Sequence, residues 1–293
     1  MVPMITRFDH AVIGVRNLDE AIRRYQSLGF DVSPGGRHTG LGTYNAIVRF
    51  GLDYLELISI YDENEVVAGR FGGKVLVDFL RKREGGLLGY ALATTDIEQD
   101  AEHFQRAGLS AQGPFAMQRM RPDRHLLSWR LLVPGGVSWR QPWPFLIQWD
   151  IPDEQRLSWE KPGAHSNGVT GWTGIAIAVH NLENAIDLYQ RQLGLALSQR
   201  DDVPHLAVQR ASFHVGTSKI DLLMPTDTGP VQQMLTEVGE GPFEITLAVR
   251  DLNQAREVLR QGGMSPEPGS EGPATLILPL HQALDARLVL VER

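Results

Sequence analysis

From His10 to Val15 the chain runs "HAVIGV", then a polar Arg16–Asn17 pair intervenes, and from Leu18 apolar residues recur at helical spacing. A switch from strand-like alternation to a period near four marks a strand followed by an amphipathic helix. The pattern occurs four times: "HAVIGVRNLDEAIRRYQSLGF", "GYALATTDIEQDAEHFQRAGL", "GIAIAVHNLENAIDLYQRQLGL" and "EITLAVRDLNQAREVLRQGGM". In each copy a short polar residue (Asn17, Asp96, Asn181 or Asp251) stands where the helix begins, placed to accept a bond from a free first-turn amide. Three residues on, Glu20, Gln99 and Gln254 complete the spacing of a capping box, with Asn184 in the remaining copy. Gly29, Gly108, Gly194 and Gly263 supply the left-handed residue that stops each helix.

After each helix the period returns to two. "YNAIVRF" and "DYLELISI" follow the first, "LLSWRLLV" and "WPFLIQWD" the second, "LAVQRASFHV" and "KIDLLMP" the third, "ATLILPL" and "ARLVLVE" the fourth. Each repeat therefore predicts a β-α-β-β-β module, and four modules predict an α+β protein of two tandem domains. Their bounds fall at 1–150 and 169–293. The intervening 151–168, with "IPDEQRLSWEKPGAHSNGVT" around it, is polar and aperiodic and predicts a linker.

Alternation also sorts the faces. In the first strand Ala11, Ile13 and Val15 are expected against the helices, with Phe8, His10 and Val12 on the opposite surface. In "DYLELIS", Leu55 and Leu57 take the helix side and Tyr54, Glu56 and Ile58 the other. His10 and Glu56 are thus expected to share a surface. Two readings are open for them: metal ligands, or a buried pair satisfying each other, since an unpartnered buried carboxylate is costly.

Composition narrows the chemistry. A net charge of −7 argues against a nucleic-acid or anionic-membrane surface, and no apolar run approaches a membrane span. The first ten residues lack a signal-peptide core, so a cytoplasmic location is the default expectation. With no cysteine among 293 residues, a metal would need His, Asp, Glu, amide or backbone-oxygen ligands. No nucleophile elbow, phosphate loop or zinc-protease motif occurs. The glycine-rich "SPGGRHTGLGTYN" reads as a hairpin connection, and with Arg37, His38, Thr43 and Asn45 close together it also suits an oxyanion-binding rim. Arg119, Arg121 and Arg124 add positive charge, and Trp129 and Trp149 add flat apolar surface. Together they favour an anionic or aromatic small molecule.

The paired modules resemble the vicinal-oxygen-chelate superfamily of glyoxalase I, extradiol dioxygenases, methylmalonyl-CoA epimerase and bleomycin-resistance proteins. "FDHAVIGVRNLDEAIRRYQSLGF", "SPGGRHTGLGTYNAIVRFG", "DYLELI", "LSWRLLVP" and "PFLIQWD" are similar to an uncharacterised bacterial glyoxalase-like domain family. The resemblance implies that paired modules form a cupped open barrel. It further implies one divalent metal (Fe, Mn, Zn, Ni or Mg), held by His10 and Glu56 with Gln148 assisting. Glu56 or His38 would be the base, and Arg37, Asn45, Arg121, Trp129 and Trp149 would contact substrate. Aligning the caps puts Gly89 opposite His10, so one family ligand is missing, and His38 is a candidate to fill the hole. In the second half Gly174 and Glu244 stand at the histidine position, with Asp221 and Glu292 as further carboxylates. Metal-assisted lyase, isomerase or dioxygenase chemistry and metal-free binding of the bleomycin-resistance type both remain open. So does a homodimer.

Overall fold

The computed structural model describes residues 4–121, 124–265, 267–269 and 272–293. In chain order its first half contains β1 (Ile5–Val15), α1 (Leu18–Ser27), β2 (Ser33–His38), β3 (Thr43–Arg49), β4 (Tyr54–Ile60), α2 (Glu63–Ala68), α3 (Gly73–Lys82), β5 (Gly85–Thr94), α4 (Ile97–Arg106), β6 (Ala111–Met120), β7 (Leu126–Pro134) and β8 (Phe145–Trp149). These strands form one sheet in the order β2-β3-β4-β1-β5-β8-β7-β6. After α5 (Asp153–Trp159), the second half repeats the plan with β9 (Val169–Ala178), α6 (Leu182–Asp187), β10 (Leu197–Val203), β11 (Val208–Val215), β12 (Ser218–Pro225), α7 (Pro230–Val238), β13 (Gly241–Val249), α8 (Leu252–Gln261), β14 (Glu267–Gly269), β15 (Gly272–Ile277) and β16 (Leu288–Glu292). Its sheet order is β10-β11-β12-β9-β13-β16-β15-β14. The two sheets are therefore built alike, each from two β-α-β-β-β modules joined where their first strands pair antiparallel.

The local signals act as the repeat predicts. Asn17, Asp96 and Asn181 each accept a bond from the amide three residues on, and Asp251 from the amide two on. All four terminal glycines are left-handed, with φ of 87°, 79°, 71° and 74°. The reciprocal half of the capping box is replaced in two copies: Glu20 takes Arg24 on the next turn, and Gln254 reaches the carbonyl of Ser166. The third copy has one more residue between cap and glycine than the others. The helix absorbs it as a π-turn at Leu188–Gln192.

Two segments depart from expectation. The stretch 33–38, read as hairpin connection, forms the edge strand β2. The predicted linker is not free chain. It contains α5, whose Arg156 is completely buried, and Asn167 is also buried, donating to the carbonyl of Leu28 and accepting from the amide of Val169. The helix-side cores of the two halves merge. Phe8 packs on Trp172 with ring centroids 5.0 Å apart, the Tyr25 hydroxyl donates to the carbonyl of Ala283, and the hydroxyls of Tyr90 and Tyr189 are bonded to each other.

Candidate active site

The concave face of the first sheet carries a hollow of about 850 Å³, counted out to its mouth. Its walls are mostly apolar: Trp129 and Trp149 pack tilted against each other with ring centroids 5.2 Å apart, Phe145 stands edge-on to His10 at 5.5 Å, and Tyr54 lies flat against the same imidazole at 4.7 Å. Residues 61–84, about which the repeat says nothing, fold into α2 and α3 and bring Val66, Phe71 and Leu76 to the hollow.

A β-bulge aims the histidine. Phe8 pairs with Leu92 and His10 with the adjacent Ala91, so Asp9 is the extra residue in the ladder. Phe8 and His10 consequently face opposite sides. Phe8, expected on the cup face, instead enters the helix-side core, while His10 points into the hollow. Tyr54, Glu56 and Ile58 also line the cup, and Leu55 and Leu57 lie in the helix-side core, as alternation predicts.

The polar groups form one connected network. Asp9 Oδ1 lies 2.8 Å from His10 Nδ1, so the carboxylate accepts the Nδ1 proton and leaves Nε2 as an acceptor. His10 Nε2 faces Glu56 Oε2 at 3.7 Å. Asn45 Nδ2 donates to Glu56 Oε1 at 2.5 Å and to His38 Nε2 at 3.2 Å, and His38 Nδ1 bonds the Thr43 hydroxyl at 2.9 Å. Arg119 closes the chain by donating to Asn45 Oδ1 at 3.4 Å. These proton positions follow from the network as a whole. Two lone pairs are left facing the hollow together, on His10 Nε2 and Glu56 Oε2.

Asp9 anchors the site from behind. Its Oδ2 accepts from Trp149 Nε1 and Arg7, each at 2.9 Å, and Arg156 lies 3.7 Å away. Burial pushes the Asp9 carboxyl up, but the bond from His10 and the charges of Arg156 and Arg7 outweigh it and hold the group well below the usual carboxylate range. Arg156 in turn donates twice to Glu160, stacks 3.6 Å over Trp149, and shares Glu160 with Arg49. Burial lowers the His38 pKa, with Arg119 and His10 adding to that effect against the opposing charge of Glu56.

Of the residues expected at the site, the structure gathers His10, His38, Asn45, Glu56, Trp129 and Trp149 around the hollow. It does not gather Gln148, Arg37 or Arg121. As a ligand Gln148 would have to stand in the second module where Glu56 stands in the first, and the ladders place it elsewhere. Val12 pairs with Glu56, and its counterpart Ala91 pairs with Phe145, so Phe145 occupies the matching position. Gln148, three residues on, accepts from the amide of Ile97 and donates to the carbonyl of Thr95, holding the start of α4. Arg37 is exposed and lies over the Tyr61 ring. Arg121 bonds Glu160 and the carbonyl of Trp159. At Gly89 a Cβ would stand 2.6 Å from the carbonyl oxygen of Ser138, so the second module has no room for a ligand opposite His10.

The donor set does not fit the metal expected from the resemblance. Among the described residues no three His, Asp or Glu side chains converge as a metal site. His38, the candidate for the missing ligand, has its Nε2 occupied by the Asn45 amide. In the second half Asp221 is held by Lys219 at 2.8 Å and Ser212 at 2.5 Å, Glu244 by Arg287 at 2.6 Å, and Glu292 caps the amide of Leu252. Asp9 is the site group that the sequence reading did not single out, whereas Arg119 was expected there only as general positive charge. The available signal for Asp9 was an acid inside an apolar strand next to a histidine.

Comparison with known proteins agrees with this architecture. A family model described as a glyoxalase-like domain matches residues 8–193, and one for the glyoxalase/bleomycin resistance protein/dioxygenase superfamily matches 174–275. The uncharacterized protein YqjC of Bacillus subtilis (strain 168) is 31% identical over 86 residues, a match spanning 29% of this chain and 61% of YqjC. A hypothetical protein from Staphylococcus aureus superposes with a TM-score of 0.68 at 14% identity, covering 98% of this chain and 99% of its own. A mutant 4-hydroxymandelate synthase from Streptomyces coelicolor gives the same score at 13% identity, over 100% of this chain and 93% of the synthase. At those identities the structural likenesses speak for the fold alone. With the first family model covering more than half its length, the chain belongs to the glyoxalase-like domain family, within the glyoxalase, bleomycin-resistance and dioxygenase superfamily.

Proposed function

We propose that the first-half cup binds a small carboxylate bearing an aromatic or other flat apolar group and moves a proton on it, as an isomerase or lyase does. The observation that carries this reading is the pairing of two acceptor lone pairs, His10 Nε2 and Glu56 Oε2, with the guanidinium of Arg119 in one largely apolar hollow. Among the described residues Arg119 makes no ion pair with a carboxylate, and its buried Nε has no hydrogen-bond partner. An arginine fork in such a place suits an incoming carboxylate. Trp129, Trp149 and Phe145 supply flat apolar surface for the rest of the molecule.

In the proposed step Glu56 takes a proton from the carbon beside the bound carboxyl or carbonyl group, and the bonding pair stays on the substrate as an enolate. Returning the proton to the opposite face or a neighbouring atom completes an isomerisation, whereas expelling a leaving group with that pair completes elimination. Asn45 keeps the Glu56 carboxylate aimed by donating to Oε1, and Asp9 fixes the His10 ring through Nδ1 so that Nε2 turns toward the hollow. No step is routed through a metal, because the donors in reach end at two. The other reading, sequestration without chemistry, is favoured by the apolar walls alone.

The test uses a panel of aryl and 2-oxo carboxylates with the whole protein in D₂O. Binders raise the melting temperature, and proton transfer shows as deuterium entering the bound molecule or as an altered product. Glu56→Gln is expected to keep binding and to slow exchange about 10²- to 10⁴-fold, the usual share of a general base. Binding without exchange in the wild type leaves sequestration as the function. Binding unaffected by Arg119→Gln overturns the anchoring role.

A further inference from the structure

The cup does not end at Arg119. On β3 the side chains of Thr43 and Asn45 face the hollow, and Ile47 and Arg49, on the same face further along the strand, line a second hollow of about 1060 Å³. Its other walls come from Ser33, Pro34 and Gly35 of β2, Arg121 just beyond β6, and the segment Trp159 to Gly163 that follows α5. Arg119 lines both spaces. It lies at the seam where the edge strands β2 and β6 approach, beside Gly36, where a Cβ would meet Arg119 Cδ in ordinary contact at 3.6 Å.

The second hollow is electropositive in a protein whose net charge is −7. Among the described residues four cations line it (Arg49, Arg119, Arg121 and Lys161) against two acids, Asp31 and Glu160, a balance of four minus two, or +2, over those residues. Both acids are already engaged. Glu160 is bonded to Arg49 at 2.9 Å, Arg156 at 3.0 Å and Arg121 at 3.3 Å, and Asp31 accepts from the amide of Ala164 at 3.0 Å. Lys161 is exposed at the rim.

We infer that this groove is a second subsite for an oxyanion at the far end of the ligand, so that the ligand is elongated. Its flat apolar end lies in the cup, Arg119 marks the passage, and a phosphate or carboxylate seats among Arg49, Arg121 and Lys161. This rests on the cup being the binding site. It also assigns a purpose to the chain after α5, which walls the groove. Oxyanion recognition by clustered guanidinium and ammonium groups is the chemistry the lining offers.

The experiment titrates the whole protein with inorganic phosphate, malonate and phenylpropyl phosphate, reading the Trp159 indole N–H by NMR, assigned with Trp159→Phe. Saturable shifts at the Trp159 signal are expected with all three. Phenylpropyl phosphate is expected to bind at least about tenfold tighter than inorganic phosphate, because linking two occupied subsites adds their contributions. Lys161→Glu, at an exposed rim position, should weaken all three about tenfold, since it turns one attraction into a repulsion. His10→Ala should leave phosphate and malonate affinity unchanged. The absence of a saturable Trp159 shift, or equal affinities in wild type and Lys161→Glu, overturns the groove. Phosphate binding in the groove without aryl carboxylates binding in the cup would instead sink the proposed function and leave the groove standing. A preference for phosphate over malonate, or the reverse, identifies which oxyanion the ligand carries.

Discussion

The two halves share a topology strand for strand, yet their cups have spent their carboxylates differently. Asp221 occupies the position of Glu56: Asp221 pairs across the ladder with Ala176 just as Glu56 pairs with Val12. Asp221 is locked by Lys219 and Ser212, and Glu244 by Arg287. Glu56 has no lysine or arginine partner among the described residues; its neighbours are an amide and two imidazoles. A carboxylate matched to its own cation is a structural element. One whose described neighbours are an amide and two imidazoles is not matched to a fixed cation and remains available for chemistry. Around the first cup, Arg7, Arg49 and Arg156 pair with Asp9 and Glu160 behind it, while Arg119 and Arg70 line the hollow itself.

The largest expected effect tests the rear network against its counterpart. Arg156→Ala removes a buried cation shared by two buried acids, leaving Asp9 to Arg7 and Glu160 to Arg49 and Arg121, and should cost about 3–5 kcal/mol in urea unfolding. Arg287→Ala breaks the partly exposed Glu244 pair and should cost no more than about 1 kcal/mol. Equal losses would show that the first half holds no special burden of buried charge.

Exchanging carboxylates probes chemistry in the same way. Glu56→Gln should abolish deuterium exchange into a bound carboxylate to the extent given above, and Asp221→Asn should leave it unchanged. A comparable loss in both would move the working site, or part of it, to the second cup. Metal content gives a parallel check: wild type and His10→Ala should carry the same amount of Fe, Mn, Zn, Ni and Mg by elemental analysis. A stoichiometric metal lost only in the variant would restore the ligand role of His10.

A smaller effect, about tenfold in rate, is expected from Asp9→Asn. The amide can present its N–H to His10 and let the ring take the other tautomer. The ¹⁵N shifts of His10 should report that change, whereas a purely structural role would lower stability and leave the tautomer as it was.

The smallest effect concerns pH. The folded His38 has a pKa below its ordinary 6.5 because it is buried, so the unfolded chain binds the proton first. His38 therefore costs stability as pH falls from about 6.5 toward its folded value, and stability rises with pH through that window. His38→Gln should flatten this part of the profile. A wild-type slope that survives the substitution would assign it to another group.

What the chain alone determined is the repeat. A cap, a helix, a glycine and alternating strands are written in contiguous residues, so local rules suffice to read four modules, and the shared face of His10 and Glu56 follows from period two. Tertiary structure decided everything that depends on register or on distant partners. One bulged residue turned Phe8 away from His10 and buried Asp9 behind it, and no spacing rule announces a bulge. A three-residue difference in ladder position made Gln148 a helix anchor and gave its expected place to Phe145. The polar stretch after β8 looks like linker because its charges are read as solvated. In the fold Arg156 joins Glu160 and Asp9 out of water, with Arg7 and Arg49 supplying the remaining positive charge, which makes that stretch the back wall of the site.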